Sequence, residues 1–456
     1  MRFLPFDYQE KLSTQFEPWH RSFQFWIRAV DIYTGYKFFQ LRASFVNDAG
    51  KCEEMWERQH EVAADKIYNL CFDLGGFFLK GAQIIGKPDL APAAWVKRLV
   101  TLCDRAPATS FHIVSEVIEK ELGKKINDVF ESFDEEPLGS ASIAQVHRAR
   151  LKGGGNDVVV KIQHPGIERL MTTDIRNLQA LALYMQRTDI EFDLFSITKE
   201  MEKQISHEFD FTREARAMER IREFLYKNNK KSPVWVPRLV GNMATRTVLV
   251  MEYIDGIPIH RLGEEILKRG LNPNSRIAMA AKQKILKSLT LAYGQMILKS
   301  GFFHADPHPG NILICKGSEV GLLDYGQVKN LPDALRLGYA KLVLALADDD
   351  VTKATESFRE LGIGTLGKCE NESVELMKLA QAMFDTKMPS DITEFQPFSD
   401  KSSLKKIAVQ VRTLLFSTCR HLMGFADVPR GAVLCSSHGA AVERPQCRYG
   451  LKLFLR

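Results

Sequence analysis

The chain has 456 residues, 45% of them hydrophobic and 26% charged. That is the balance of an ordinary globular protein with room for two or three domains. A formal charge of +6 is mildly basic, compatible with a nucleotide or a membrane surface but too weak to demand either, and no nucleic-acid partner is expected. No run of 18 apolar residues occurs, which argues against a membrane-spanning helix. The eight cysteines form no CxxC pair, which argues against a zinc ribbon or disulfide scaffold and for a reducing compartment. The start, MRFLPFDYQEKLSTQFEP, carries acidic residues and lacks a secretory apolar core or an Arg/Ser-rich transit composition, so no targeting signal is legible there.

Residues 14 to about 110 predict helices, with apolar positions three and four apart through EEMWERQHEVAADKIYNLCFDLGGFFLKGAQIIG. The preceding aromatic stretch, FEPWHRSFQFWIRAVDIYTGYKFFQLRASF, fits a core or docking helix better than a membrane-surface one. From about 127 the pattern turns to strands. VHRARL and DVVVKIQ are short β-type runs around the turn KGGGN. Two helical stretches follow, at about 167–187 and 195–227, then strands in VWVPRLVGN and TVLVMEYIDG. A helix over about 274–299 leads into FFHADPHPGNIL, and VGLLDYG adds a short strand and turn. Beyond Leu331 the chain predicts helix to about 425, and residues 427–456 predict an irregular basic tail.

The loop with two histidines decides the chemistry. His304 and His308 have the i, i+4 spacing of zinc ligands on a helix. Pro307 and Pro309 oppose a helix there, each costing about 3 kcal/mol in its interior, and no Glu follows His304 as a base. Phosphoryl transfer fits better. Protein kinases use H-R-D-x-x-x-x-N followed by D-F-G. Here His304-Ala305-Asp306 is followed five residues later by Asn311, and thirteen residues beyond stands Asp324-Tyr325-Gly326. Magnesium takes oxygen ligands and shares them with substrate phosphates, so the Asn311 amide and the Asp324 carboxylate suffice. Asp306 is the candidate base for the attacking hydroxyl, a role worth about 10²–10⁴-fold.

Upstream, Gly139-Ser140-Ala141-Ser142-Ile143-Ala144-Gln145-Val146 fits the phosphate-covering G-x-G-x-x-G-x-V, with Ala141 and Ala144 in place of glycines. Lys161, in VVVKIQ, is the strand lysine for nucleotide phosphates.

With these four elements in order, the sequence resembles the UbiB-like, or aarF-domain, atypical kinases over roughly 60–425. The shared stretches are KGAQ, PLGSASIAQVHRA, VVVKIQHPG, EFDFTREA, FFHADPHPGN and LLDYG. The resemblance implies an α+β, protein-kinase-like bilobal fold. Residues 1–110 would be a helical extension carrying KGAQ, 111–256 an N-lobe with inserted helices, and 257–426 a helical C-lobe. It implies ATP or ADP with Mg2+, and a role in prenylquinone or isoprenoid lipid metabolism at a mitochondrial or plastid membrane surface. Glu214 would be the ion-pair partner of Lys161, and Glu252, Tyr253 and Ile254 the adenine hinge, binding through backbone groups. Glu208 and Asp210 would form an E-x-D motif meeting Lys80 and Gln83. The family's K-x-G-Q is here Lys80-Gly81-Ala82-Gln83, so an alanine stands where glycine is usual, and a strained backbone there would cost about 1 kcal/mol.

Three departures from ordinary kinases point away from peptide substrates. Ala141 and Ala144 restrict the phosphate loop to ordinary φ. Ala305 replaces the Arg that docks an activation-loop phosphate. No A-P-E follows Gly326 before the chain turns helical. The expected acceptor is a small or lipid-like molecule, or water. The competing readings are a small-molecule phosphotransferase of the aminoglycoside- or choline-kinase type, and a nucleotide-binding pseudokinase scaffold.

Overall fold

The computed structural model describes residues 6–85, 91–102, 108–155, 157–189, 193–268, 275–307 and 309–361, with isolated positions at 270, 272 and between 373 and 381. The tail expected over 427–456, most of the helical run expected up to 425, and His308 lie outside the described residues. Two compact units emerge. Among the described residues, one holds the chain to Ala149 together with Val160–Phe209, the other Arg150–Val159 together with the chain from Asp210. The cuts fall inside two strands and at Phe209. The helices after the strand lysine pack on the N-terminal helices, which assigns them to the first unit.

The first unit opens with α1 (Phe6–Ala43), α2 (Ala49–Leu74), α3 (Gly76–Ile85) and α4 (Ala93–Leu99), then α5 (Phe111–Leu122) and α6 (Ile126–Val129). Strands β1 (Phe130–Phe133), β2 (Gly139–Ser140), β3 (Ala144–Leu151) and β4 (Asp157–Gln163) follow, then α7 (Ile167–Thr188) and α8 (Leu194–Glu208). α1 buries Phe25, Ala29, Tyr36, Phe39 and Ala43, as a core helix must. Its other face exposes Trp19, Phe23, Ile27, Val30, Phe38 and Leu41. Arg21 clamps α1 to α7 by donating to both carboxylate oxygens of Asp174 at 2.7 and 2.6 Å. Asp174 is fully buried, and this desolvation raises its pKa to about 6 against the pull of Arg21. At the far end of α7, Asp189 takes Lys37 and the Tyr33 hydroxyl.

The sequence predicted one helix over 195–227. Two are present, because Asp210 accepts from the Thr212 N–H at 3.0 Å and caps a new helix, α9 (Phe211–Lys227). In the second unit β5 (Leu239–Ala244) pairs antiparallel with β6 (Val248–Glu252). VWVPRLVGN becomes a strand only from Leu239, since Pro237 has no N–H for a ladder. Next come β7 (Ile257–Pro258), α10 (Leu262–Lys268) and α11 (Arg276–Gly294), which runs into one π-helical stretch at Gln295–Ser300. Gly301, at φ 68°, then turns the chain in a space closed to a Cβ by the Leu331 carbonyl at 3.0 Å.

Four short strands follow: β8 (Phe302–His304), β9 (Ile312–Cys315), β10 (Glu319–Leu322) and β11 (Val328–Asn330). β9 pairs antiparallel with β10 and with β7, and β8 with β11. The unit's described part ends in α12 (Asp333–Ala347) and α13 (Val351–Glu360), packed around Leu342, Ala345, Ala354 and Phe358.

Candidate active site

In the second unit the two chemistry-bearing turns are built against each other. β8 delivers His304 into a fully buried position, where it has no contact with water. Its Nε2 faces the Leu323 carbonyl at 3.0 Å, so this nitrogen carries the proton and donates. Nδ1 is then the acceptor for the Tyr293 hydroxyl at 3.2 Å. With both ring nitrogens engaged, His304 is a structural pin and has no lone pair for zinc. Its ring also meets Tyr325 edge-on at 5.2 Å.

Further bonds close the same seam. Ala305 N–H donates to Gln327 O at 2.8 Å, and Leu323 N–H to Asn311 O at 2.8 Å. The Tyr325 side chain, 1% exposed, donates its hydroxyl to Leu322 O at 3.1 Å. Full burial pushes that phenol's pKa well above 10. The aromatic ring between Asp324 and Gly326 thus anchors the turn from inside, a role that Tyr fills only because its hydroxyl finds a partner.

Asp306, Asn311 and Asp324 are half-buried. Asn311 Nδ2 donates to Asp306 O at 3.3 Å, which leaves the amide oxygen as the atom suited to a hard cation. Asp324 sits at φ 59°, a left-handed conformation that few non-glycine residues adopt, and its Oδ1 accepts from Gly326 N–H at 3.2 Å. Such strain collects at functional turns that their surroundings over-determine. Among the described residues no group of three His, Cys, Asp or Glu could hold a metal ion. The Asn311–Asp324 donor set fits a cation that takes its remaining ligands from substrate phosphates and water, as magnesium does.

Glu214, on the first turn of α9 and 4% exposed, accepts the Tyr325 N–H at 3.3 Å. It therefore braces the Asp-Tyr-Gly turn. Of the expected hinge, Glu252 N–H goes to Arg238 O at 2.9 Å and Tyr253 N–H to Asp157 O at 3.2 Å. Ile254 packs with Leu313 and Cys315, which ties this segment to β9 behind the His304–Asn311 loop.

The first unit holds the other candidates. Lys161 lies in β4, half-buried between Val160 and Ile162, which are 0 and 1% exposed. Gly139–Val146 forms a tight hairpin, with Gly139 opposite Val146 and Ser140 opposite Gln145. Ala141, Ser142, Ile143 and Ala144 keep ordinary φ, so the hairpin does without the positive φ that glycines would allow. Gln145 is not turned outward. It is 1% exposed and bonded to the Thr109 backbone.

Lys80 Nζ reaches both carboxylate oxygens of Glu208, at 3.0 and 3.1 Å, and joins α3 to the end of α8. Asp210 caps α9 instead, and the Gln83 side chain is outside the described residues. Ala82 is 1% exposed, within α3 and free of positive φ, so the alanine in this motif carries no backbone strain. Sequence reasoning missed the structural duties of His304, Thr109 and His164. For His304 a signal existed, since a motif histidine flanked by Phe303 and Ala305 belongs inside.

A strand, a loop bearing an acid and an amide, and an Asp-Tyr-Gly turn pinned to it define a protein-kinase-like fold. The model of the ABC1 atypical kinase-like domain matches residues 101–358, more than half of the chain, and the protein belongs to this family of UbiB-like, or aarF-domain, atypical kinases. Chicken (Gallus gallus) AarF domain-containing protein kinase 1 is 34% identical over 313 residues, covering 67% of this chain and 58% of the relative. The Arabidopsis thaliana chloroplastic protein ACTIVITY OF BC1 COMPLEX KINASE 8 is 31% identical over 329 residues, 70% of this chain and 41% of that one. The chain thus spans about half the length of the curated relatives it matches. A solved structure, Mycobacterium tuberculosis Rv3197 in complex with erythromycin, is 21% identical with a TM-score of 0.49 and covers 81% of this chain and 94% of that one.

Proposed function

We propose that the protein binds Mg-ATP and transfers its terminal phosphoryl group to a small or lipid-like hydroxyl, or to water, in support of prenylquinone or isoprenoid lipid metabolism. The observation that carries this reading is the seam between the two turns: His304 on Leu323 O, Leu323 on Asn311 O, and Ala305 on Gln327 O. It fixes Asp306, Asn311 and Asp324 in one frame.

In this reading Asp306 orients the acceptor hydroxyl and takes its proton as the new P–O bond forms and ADP departs. Asn311 and Asp324 hold magnesium, which would neutralise phosphate charge when bound. Lys161 serves the nucleotide phosphates, and Glu214 keeps the Asp-Tyr-Gly turn in place. The exposed apolar face of α1 gives the protein a way to sit on an organelle membrane, and no described helix is long and apolar enough to cross one. The test is ATP turnover with and without anionic liposomes and phenolic acceptors. Asp306→Asn should lose turnover by about 10²-fold or more while retaining nucleotide affinity. Equal turnover in wild type and Asp306→Asn defeats the proposal, and binding without turnover under every condition makes the protein a scaffold.

A further inference from the structure

The alanine loop is held by a cluster that the phosphoryl-transfer reading does not use. Thr109 stands just before α5, and three of its groups are engaged. Its N–H donates to Gln145 Oε1 at 2.6 Å, its carbonyl accepts from Gln145 Nε2 at 3.0 Å, and its hydroxyl meets His164 Nδ1 at 2.7 Å. His164, just past β4, reaches back to the loop twice. Its backbone N–H donates to Ile143 O at 2.9 Å, and its ring Nε2 faces Ala141 O at 3.0 Å, with Ser140 Oγ at 3.5 Å. A carbonyl only accepts, so Nε2 carries the proton and Nδ1 accepts from the Thr109 hydroxyl.

Gln145 is fixed in turn. Its Nε2 also donates to His147 Nε2 at 2.8 Å, and His147, fully buried, donates from Nδ1 to Asp134 O at 2.7 Å. Every rotatable group of the cluster therefore has its orientation set by a neighbour. Such networks rigidify what they touch when every member is satisfied. The consequence for the loop is directional. A peptide is planar and trans, so drawing the Ala141 carbonyl to His164 points the Ser142 N–H of the same peptide the opposite way.

We infer that Thr109, Gln145 and His164 form a clamp that sets the pose of the alanine loop, and that His164 turns the Ser142 N–H outward as a donor for a nucleotide phosphate. The three are positioning residues, and the inference rests on the proposal that Gly139–Val146 covers a nucleotide. The clamp does by side chains what a glycine loop does by backbone freedom: it selects one hairpin shape at ordinary φ. It also ties that shape to the segment entering α5, so a displacement of that segment changes the phosphate pose and with it the preference between ATP and ADP.

Thr109→Val removes the hydroxyl and keeps the shape, while Thr109→Ser restores it. Hydrogen–deuterium exchange at residues 140–144 needs no ligand, and one lost hydrogen bond should speed it about fivefold in Thr109→Val while lowering the melting midpoint by no more than about 2–4 °C. Serine should return it to the wild-type rate. Fluorescent Mg-ATP and Mg-ADP titrations should show the ATP:ADP affinity ratio shifting at least about threefold in Thr109→Val alone. Lys161→Ala is measured alongside as the control on the nucleotide site. A Lys161→Ala protein that binds nucleotide like wild type defeats the underlying reading, whatever Thr109 does. A weakened Lys161→Ala beside a Thr109→Val with wild-type exchange and ratio defeats the clamp. Should Thr109→Val fail to fold, His164→Gln is measured in its place by the same criteria.

Discussion

Replacing His304 by phenylalanine separates its hydrogen bonds from its volume. The aromatic ring still fills the site and still meets Tyr325 edge-on. What disappears is the donor to Leu323 O and the acceptor for the Tyr293 hydroxyl, 3.0 and 3.2 Å away. Tyr293 is 4% exposed, so water does not replace the lost partner there. Each buried hydrogen bond lost costs about 1–3 kcal/mol, and the substitution should destabilise the protein by about 2–5 kcal/mol against a typical total of about 5–15. Leu323 immediately precedes Asp324, whose φ of 59° depends on its surroundings. Urea unfolding measures the first effect, and amide exchange at Leu323, Ala305 and Tyr325 the second, since the first two N–H groups bond across the seam and the third bonds to Glu214 beside it. Unfolding within about 0.5 kcal/mol of wild type, a surface-like value, together with unchanged exchange, would refute the pin.

The Lys80–Glu208 pair has side chains 17 and 12% exposed. A double-mutant cycle with alanines should give a coupling of about 1–2 kcal/mol by denaturation, and additivity would mean that the pair contributes nothing. Ala82→Gly should destabilise by about 1–2 kcal/mol, from helix propensity and the loss of one buried methyl. A more stable variant would show that the alanine is strained after all. Burial holds His147 and His164 below the ordinary histidine value of 6.5. Below pH 6.5 the unfolded chain therefore binds more protons than the folded one, so stability present above that pH is lost as it falls. Asp174, raised to about 6, works in the opposite sense, because the folded protein takes up its proton first. The melting midpoint of the His147→Gln, His164→Gln protein should consequently fall less than that of wild type between pH 7.5 and about 5, and parallel curves would contradict the assignment.

The strand carrying Lys161 was legible to the residue, since DVVVKIQ coincides with β4, and VHRARL lies inside β3. Apolar alternation and a glycine turn specify such a hairpin locally. The break at Phe209–Asp210 was legible in principle as an aspartate two residues before a threonine, but strong helical periodicity on both sides masks a cap. The π-helical stretch after Gly294 and the φ of Asp324 were not legible, because both are decided by distant partners. At the site, spacing alone singled out Asp306, Asn311 and Asp324. It could not reveal that Glu214 holds the Tyr325 N–H or that Gln145 faces inward. Those are facts about packing between segments far apart in the chain. The joining of α7 and α8 to the N-terminal helices through Asp174 and Glu208 is of the same kind.

The proposal that matters most is that Asp324 and Asn311 hold magnesium for a bound triphosphate. Calorimetric titration of ATP into the protein, with and without magnesium, tests it most directly when wild type and Asp324→Asn are compared. Tight binding that requires magnesium in wild type, and weakens by at least about tenfold in Asp324→Asn, is the result predicted. Binding of equal strength in both proteins, indifferent to magnesium, would contradict the account.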